Sequence, residues 1–288
     1  MTTVGEALTR GTKDLAQAGQ ESAQLDAQIL LSHVLGVERS TLYAHPERVL
    51  SPEQEQQYRM LVERRSHGEP VAYLVGHKEF YGLDFLVDRR VLIPRPETEL
   101  LVDAARKVIQ YMFDAGQTPI VADIGTGSGA IPVALAVHEP GLPYLYATDI
   151  SADALEVARI NCQHHHVEHR VRLLLGDLLA PLPEAVDIIT ANLPYVGSEE
   201  MHLLAPDVQA YEPHLALFSG PRGLDLVQRF LVEVQQSQKL RERGVLLLEL
   251  GYQQREPLAS LLHELWPSAV VTFTKDYAGW DRVVQIRV

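Results

Sequence analysis

Three glycines at alternate positions constrain the fold of this chain more than any other feature. Gly125, Gly127 and Gly129 follow a short apolar run that ends near Asp123, and the apolar segment 130–137 comes directly after them. This order predicts a strand, a tight turn and a helix. Glycine suits such a turn because a backbone without Cβ atoms can bend sharply and approach a ligand closely. We call residues 125–129 the glycine turn.

Two kinds of ligand use a turn of this type. Gly125, Gly127 and Ala130 satisfy the dinucleotide pattern G-x-G-x-x-A. A carboxylate at the mouth of the turn, however, repels a pyrophosphate and attracts the ammonium and sulfonium groups of S-adenosylmethionine, and Asp123 is placed there. Asp149 ends the next mostly apolar run, where an acid that binds both ribose hydroxyls is expected. Together these carboxylates favour S-adenosylmethionine.

The composition narrows the class of protein. A length of 288 residues suggests one large or two modest domains, and 46% hydrophobic residues are ample for a core. No apolar run approaches membrane-spanning length, no secretory signal is visible, and the single cysteine, Cys162, suits a reducing compartment, so we expect a cytoplasmic protein. The net charge of −13 counts against an enzyme that grips duplex DNA.

The chain divides by pattern into three parts. Residues 1–75 show helical periodicity and capping signals, but no chemically suggestive residues, so we predict a helical bundle that recognises an acceptor; a merely structural role fits the composition equally well. Residues 76–88 predict a β-hairpin around Gly82 that links this bundle to the rest. Residues 89–288 form the predicted catalytic domain.

Apolar runs and helical segments alternate from residue 119 onward. The run from Val245 to Leu250 is almost entirely apolar, which is typical of a parallel strand covered on both faces. Three contiguous histidines at 164–166 are poorly placed to converge on one metal ion, so we predict a solvated helix end and no metal site. The predicted strands are 119–123, 144–148, 171–175, 186–191, 244–250, 269–274 and 282–288.

A polar and aromatic tetrapeptide follows the fourth predicted strand of this series. Its residues are Asn192, Leu193, Pro194 and Tyr195, which we call the NLPY segment. Ligands of open α/β sheets bind beyond the carboxyl ends of the strands, so the glycine turn and the NLPY segment should face one crevice. Asn192 offers an acceptor oxygen and Tyr195 a flat ring, which together suit a planar NH2 group.

The pattern Asn-Pro-Pro-Tyr, with variants at its second position, is the signature of S-adenosylmethionine enzymes that methylate amide or exocyclic amine nitrogens. The whole chain further resembles the release-factor glutamine methyltransferases (the HemK/PrmC family). The additional segments that carry this resemblance are Gly68-Glu-Pro-Val-Ala-Tyr73, residues 76–80, Ile93-Pro-Arg-Pro-Glu-Thr-Glu99, Tyr211-Glu-Pro213, Gly223-Leu-Asp225, Lys275-Asp-Tyr-Ala-Gly279 and Asp281-Arg282.

The resemblance implies a Rossmann-like, S-adenosylmethionine-dependent methyltransferase domain. This α/β domain has a mostly parallel seven-stranded sheet and is preceded by the helical bundle and the linking hairpin. The implied reaction is transfer of a methyl group to the side-chain nitrogen (N5) of the glutamine in the Gly-Gly-Gln motif of peptide-chain release factors, in support of translation termination. The implied partners are release factors, with no direct nucleic acid and no membrane; the sequence does not give the oligomeric state, and a monomer is expected.

The resemblance also assigns residue roles. The glycine turn, with Thr126 and Ser128, lines the methionine end of the cofactor, and Asp149 binds the ribose. The NLPY segment is the catalytic clamp on the acceptor glutamine, and Asn192 also borders the cofactor. Asp177 and Leu178 fall where the family contacts adenine, although an aspartate that caps a turn is the alternative for Asp177. Arg95 and Glu97 either border the site or start a helix.

One residue departs from the family pattern, because Leu193 stands where a proline is usual. Leucine still supplies a backbone carbonyl, but its φ is freer, so this loop is expected to be less preorganised. No histidine, lysine or cysteine near the motifs is an obvious strong base, which favours catalysis by placement of the nitrogen. Three alternatives remain open at this point: a ribosomal-protein glutamine methyltransferase, a nucleic-acid adenine methyltransferase, and a non-catalytic S-adenosylmethionine-binding module.

Overall fold

The computed structural model describes residues 1–288 and divides them into two compact units. The first unit comprises Met1–His77 together with Leu204–Tyr211, and the second comprises Lys78–Leu203 together with Glu212–Val288. No helix in either unit combines the length and the apolar composition that crossing a membrane requires.

Helices account for the regular structure of the first unit. Capping boxes start two of them as the sequence predicts: the Thr3 hydroxyl accepts the Glu6 N–H, and the Ser51 hydroxyl accepts the Gln54 N–H. The apolar faces meet in a core that includes the fully buried Leu30. The helices are α1 (Val4–Gln17), α2 (Ala23–Leu35), α3 (Arg39–Ala44), α4 (Pro52–Ser66) and α5 (Val71–Val75).

The segment Leu204–Tyr211 differs from the predicted division, which placed it in the domain 89–288. Its side chains bond instead within the helical unit. The Tyr211 hydroxyl donates to the His67 carbonyl oxygen at 3.1 Å, and Asp207 lies 3.8 Å from the guanidinium of Arg65. These contacts join positions more than a hundred residues apart in the chain, which a pattern of local periodicity does not reveal.

A hairpin begins at the end of the helical unit. Strands β1 (His77–Phe80) and β2 (Leu83–Leu86) pair around Tyr81 and Gly82, whose φ angles are 55° and 74°. Two consecutive positive φ angles are typical of the tight turns that join antiparallel strands. The predicted hairpin around Gly82 is therefore confirmed.

The second unit is built on the predicted seven-stranded sheet. Its order is β5-β4-β3-β6-β7-β9-β8; the β3–β4, β4–β5, β3–β6 and β6–β7 pairs are parallel, and β9 runs antiparallel to both β7 and β8. The sheet is therefore mostly parallel, as expected for a Rossmann-like domain. The strands are β3 (Val121–Ile124), β4 (Leu145–Asp149), β5 (Val171–Leu175), β6 (Val186–Ala191), β7 (Leu240–Glu249), β8 (Val270–Lys275) and β9 (Asp281–Arg287).

Helices accompany this sheet and cover its apolar strands. The helical residues Phe230 and Leu262, for example, are fully buried in one core cluster with Leu246 of β7. The helices outside the first five are α6 (Glu99–Asp114), α7 (Ala130–His138), α8 (Ala152–His164), α9 (Pro206–Tyr211, within the first unit), α10 (Asp225–Ser237) and α11 (Arg255–Leu265).

The register of β3 and β6 determines where the site lies. Ile124, the last residue of β3, is paired with Ala191, the last residue of β6. The next residues are Gly125 and Asn192, so the glycine turn and the NLPY segment leave the sheet side by side. The order changes direction at β3, between β4 and β6, and such a switch point is where open α/β sheets bind ligands.

A buried ion pair in the helical unit supplies a test of its stability. Arg65 donates to the Asp26 carboxylate at 2.7 Å, and both side chains are less than a tenth exposed. Asp26→Ala is expected to lower the free energy of unfolding by about 3–5 kcal/mol, because the guanidinium stays buried without its carboxylate. Chemical denaturation of the full chain, followed by circular dichroism, measures this change.

The matched control is Glu47→Ala, which removes the carboxylate of the exposed His45–Glu47 pair. Its expected effect is below about 0.5 kcal/mol. Equal effects of the two substitutions would contradict the importance of the buried pair.

Candidate active site

A cavity of about 230 Å³ opens at the carboxyl ends of β3, β4 and β6. It brings together most of the residues that the sequence singled out, including Gly125, Asp149 and Asn192. Residues from both motifs therefore border one space. The segments that line it are 90–92, 94–95, 98, 124–128, 130–131, 148–151, 154, 176–178, 192–194, 213, 215–216, 226 and 229.

The glycine turn has the backbone conformation that its composition predicts. Gly125, Gly127 and Gly129 have φ angles of 74°, 55° and 78°, in the left-handed region that favours glycine. The N–H groups of Gly125 and Thr126 both donate to the Thr148 carbonyl oxygen at 2.9 Å, which fastens the turn to the end of β4. No atom lies within 4 Å of a Cβ built on Gly127, so space remains above the turn.

Asp149 is held in place by backbone donors. One carboxylate oxygen accepts the Gly127 N–H at 2.8 Å, and the other accepts the Ser151 N–H at 2.9 Å. Burial raises the pKa of Asp149, and these backbone hydrogen bonds oppose the rise. A carboxylate oxygen can accept a second hydrogen bond, so a fixed Asp149 that lines the cavity can bind a vicinal diol.

Asp123 lies behind the glycine turn and does not line the cavity. It is fully buried, and its Oδ1 accepts the Thr190 hydroxyl at 2.8 Å, whereas Oδ2 has no hydrogen-bond partner. Burial raises its pKa to about 6. Its predicted direct contact with a cofactor stays a prediction, and Gly129 likewise lies outside the lining.

The amide of Asn192 has a defined orientation. Its Nδ2 donates to the hydroxyl of the buried Thr98 at 3.1 Å. Asn192 also lines the cavity, and its Oδ1 is the part of the amide that the hydrogen bond to Thr98 leaves for a ligand. The amide can therefore accept hydrogen bonds from an NH2 group in the cavity.

Leu193 packs on the glycine turn and is only 4% exposed. A Cβ built on Gly125 would lie 3.0 Å from Leu193 Cδ2 and 3.9 Å from the Asn192 carbonyl oxygen. The two motifs are thus in direct contact, and this contact restrains the residue that replaces the usual proline. Burial of the Leu193 side chain against the glycine turn restrains the NLPY segment, and this packing compensates for the freer φ of leucine.

Tyr195 is the one member of the NLPY segment that does not line the cavity. Its hydroxyl donates to the buried Glu249 at 3.3 Å, and its carbonyl oxygen accepts the Gln254 side-chain amide at 2.7 Å. Burial raises the pKa of the tyrosine hydroxyl. The predicted stacking of a substrate on its ring stays a prediction.

Asp177 and Leu178, the candidates for adenine binding, also line the cavity. Asp177 forms two hydrogen bonds with Arg229 of α10, at 2.8 and 2.9 Å, and both side chains are about half exposed. Leu178 is buried with a φ of 45°, and its carbonyl oxygen accepts the Thr148 hydroxyl at 3.0 Å. Arg229 was not among the predicted site residues, because no local sequence pattern indicates its partner.

A second feature that was not predicted is a set of hydrogen bonds between two loops that border the cavity. The buried Glu212 accepts hydrogen bonds from Arg95 at 2.5 Å and from the Ile93 N–H at 3.2 Å. The next residue, Pro213, lines the cavity, as Arg95 does, whereas Glu97 does not. The segments 93–99 and 211–213 were noted separately in the sequence. Their shared membership of the family pattern was the signal that could have suggested a contact between them.

Known proteins are similar to this chain over almost its whole length. A family model described as PrmC N-terminal domain matches residues 6–76, and one described as Methyltransferase small domain matches residues 99–207. A release factor glutamine methyltransferase of Rhodopirellula baltica is 38% identical over 99% of this chain and 96% of its own. Proteins of the same name from Koribacter versatilis and Moorella thermoacetica are 36% and 39% identical, over 98% and 97% of this chain and 97% and 96% of theirs.

Solved structures support the fold alone. The catalytic domain of human METTL16 in complex with an RNA hairpin has a TM-score of 0.57 at 16% identity, over 82% of this chain and 81% of that one. The N-terminal domain of human METTL16 in complex with SAH has a TM-score of 0.53 at 19% identity, over 72% and 76% of the two chains.

The contact between Gly125 and Leu193 gives a testable consequence. Gly125→Ala combines left-handed strain with pressure on Leu193, so it is expected to displace the site and lower methyl transfer by about 10²-fold. The control, Gly116→Ala, has the same strain at a φ of 73°, but no atom lies near its Cβ. Each substitution should cost about 1–2 kcal/mol of stability. Thermal unfolding and transfer rates, measured together, separate the two effects; equal transfer rates would refute the role of this contact.

Proposed function

Because the chain belongs to the release factor glutamine methyltransferase family, we propose that it methylates the glutamine of the Gly-Gly-Gln motif in peptide-chain release factors. The methyl group goes to the side-chain amide nitrogen, N5, and the modification supports translation termination. The observation that carries this proposal is the oriented amide of Asn192, whose Oδ1 is left for an NH2 group beside the glycine turn.

The residues around the cavity fit S-adenosylmethionine. The Thr126 hydroxyl is buried next to Asp123, and Gly127 leaves open space where a Cβ would be. Asp149 would hold the ribose hydroxyls, the glycine turn would hold the methionine end, and Asp177 with Leu178 would border the adenine. When bound, the cofactor supplies an electrophilic methyl group.

The acceptor nitrogen is a weak nucleophile, because its lone pair is delocalised into the amide carbonyl. The charged side chains that line the cavity are two aspartates and three arginines, and Asp149 already accepts two backbone hydrogen bonds. We therefore assign catalysis to placement rather than to a strong base. Asn192 Oδ1 and the Leu193 carbonyl would accept the two N–H bonds, aim the nitrogen at the methyl group and stabilise the positive charge that develops on it. The nitrogen–carbon bond would form as the methyl–sulfur bond breaks, and the methylated nitrogen would then lose one proton to solvent.

The acidic balance of the chain favours a protein acceptor over a nucleic acid. A net charge of −13 opposes close approach to many phosphates.

We assign acceptor recognition to the helical unit, whose residues include none of those that line the cavity. We place the reaction in the cytoplasm, where a lone reduced cysteine such as the buried Cys162 is usual.

The direct test uses the acceptor itself. Labelled S-adenosylmethionine is incubated with the protein and a purified release factor, and in parallel with a release factor whose Gly-Gly-Gln glutamine is changed to alanine. Label is expected only on the first. Label on both, or preferential label on ribosomal protein or DNA offered in the same assay, would contradict the proposal.

Cofactor binding is tested at Asp149. Asp149→Ala should weaken S-adenosylmethionine binding by about 1.5–3 kcal/mol, the range for hydrogen bonds to a charged group. Asp153→Ala removes the same charge from an exposed position in the first turn of α8 and should leave affinity unchanged. Calorimetry on both folded variants decides this, and equal affinities would remove Asp149 from the site.

Acceptor placement is tested at Asn192. Asn192→Ala should leave cofactor affinity nearly intact and lower methyl transfer by about 10²- to 10³-fold, comparable to losing one oriented transition-state contact. Asn192→Asp keeps the shape and adds a negative charge, so cofactor should bind at least as well while transfer falls. Calorimetry and transfer rates together check this, and wild-type transfer by Asn192→Ala would refute the assigned role.

A further inference from the structure

The side chain of Asn192 presents a problem of orientation. Its amide oxygen and nitrogen are nearly equal in size, so packing alone cannot decide which of them faces the cavity. Only the orientation with Oδ1 towards the cavity offers an acceptor to the NH2 group of a glutamine. A hydrogen-bond partner behind Asn192 must therefore select it.

Thr98 is the residue that contacts the amide from behind. It lies just before α6, is 4% exposed, and accepts a hydrogen bond from Asn192 Nδ2 at 3.1 Å. A hydroxyl can also donate, and a threonine that donated to Asn192 would favour the reversed amide. The hydroxyl proton of Thr98 must therefore be directed elsewhere.

Glu249 is the group that attracts this proton. It ends β7, is 3% exposed, and accepts the Tyr195 hydroxyl at 3.3 Å through Oε1, while Oε2 is buried without a partner of ordinary hydrogen-bond geometry. An ionised carboxylate only accepts hydrogen bonds. Burial raises the pKa of Glu249, and hydrogen bonding from the Thr98 hydroxyl opposes the rise, as expected of a hydroxyl that points towards the carboxylate.

We propose that Thr98 and Glu249 are positioning residues that fix the Asn192 amide with its oxygen towards the acceptor glutamine. Ionised Glu249 attracts the Thr98 proton, Thr98 then accepts from Asn192 Nδ2, and Asn192 Oδ1 faces the cavity. This inference rests on the proposed function, since it explains how Asn192 comes to accept the substrate amide. Tyr195 takes part by donating to the same carboxylate.

Protonation of Glu249 reverses this arrangement. A protonated Oε2 can donate to Thr98, whose own proton is then free to bond a reversed Asn192 amide. Burial raises the pKa of Glu249 to about 7, with Glu97 adding to the rise and Thr98, Tyr195 and Arg282 opposing it. Arg282 is itself paired with Asp276 at 2.9 Å. Methyl transfer should therefore fall as the pH decreases through the region of this pKa.

Threonine variants test the orientation. Thr98→Val is close in shape but lacks the hydroxyl, so it should lower kcat about tenfold, the loss of one modest hydrogen bond, and leave cofactor affinity unchanged. Thr98→Ser keeps the hydroxyl and should stay within about twofold of wild type. Glu249→Gln cannot ionise and should remove the decrease in kcat near pH 7, whereas a decrease that arises from Asp123, with its pKa of about 6, should remain.

A double-mutant comparison separates orientation from general damage. In the Asn192→Asp background the side chain has two oxygens, and either orientation presents an acceptor. Thr98→Val should then change the residual transfer by less than about twofold. A structural defect would instead lower transfer by the same factor in both backgrounds.

The outcomes distinguish this inference from the function on which it rests. Absence of transfer from the wild-type chain to a release factor would overturn the proposed function, and this inference with it. A wild-type enzyme that transfers normally, with a Thr98→Val variant of equal kcat, would overturn only the positioning role. A tenfold loss that Asn192→Asp does not suppress, or a pH profile that Glu249→Gln does not alter, would also overturn it.

Discussion

The parallel pairing of β3 with β6 is the constraint on which the site depends. Because Ile124 and Ala191 are register partners, the backbones that follow them leave the sheet as neighbours. One carries the glycine turn and the other the NLPY segment. The contact between Gly125 and Leu193 then fixes their separation. The proposed cofactor site and the proposed acceptor site thus share an edge of the sheet without sharing a strand.

Buried polar groups behind the cavity orient the groups that line it. The Thr148 carbonyl fastens the glycine turn, backbone N–H groups fix Asp149, and Thr98 holds the amide of Asn192. Such groups are costly to bury unless they are satisfied, so each hydrogen bond permits few alternatives. This rigidity suits the proposed reaction, in which placement of a weak nucleophile makes its deprotonation before attack unnecessary.

Much of this arrangement could be predicted from local sequence. Glycines at alternate positions and continuous apolar runs specify turns and parallel strands within a few residues, so the sheet, the hairpin and the cavity position followed from them. The pairings of Thr98 with Asn192 and of Arg95 with Glu212 could not be predicted, because they join residues 94 and 117 positions apart. The full burial of Asp123 could not be predicted either, because it depends on how the glycine turn folds over this residue.

The central claim is that this geometry aims the side-chain nitrogen of a glutamine at the methyl donor. Tandem mass spectrometry of a release factor methylated by the wild-type chain tests it most directly, because fragmentation locates the residue and the side chain that carry the added methyl group. One added methyl group is expected on the side-chain amide of the Gly-Gly-Gln glutamine. A methyl group on a lysine, on the peptide backbone or on a different glutamine would contradict it.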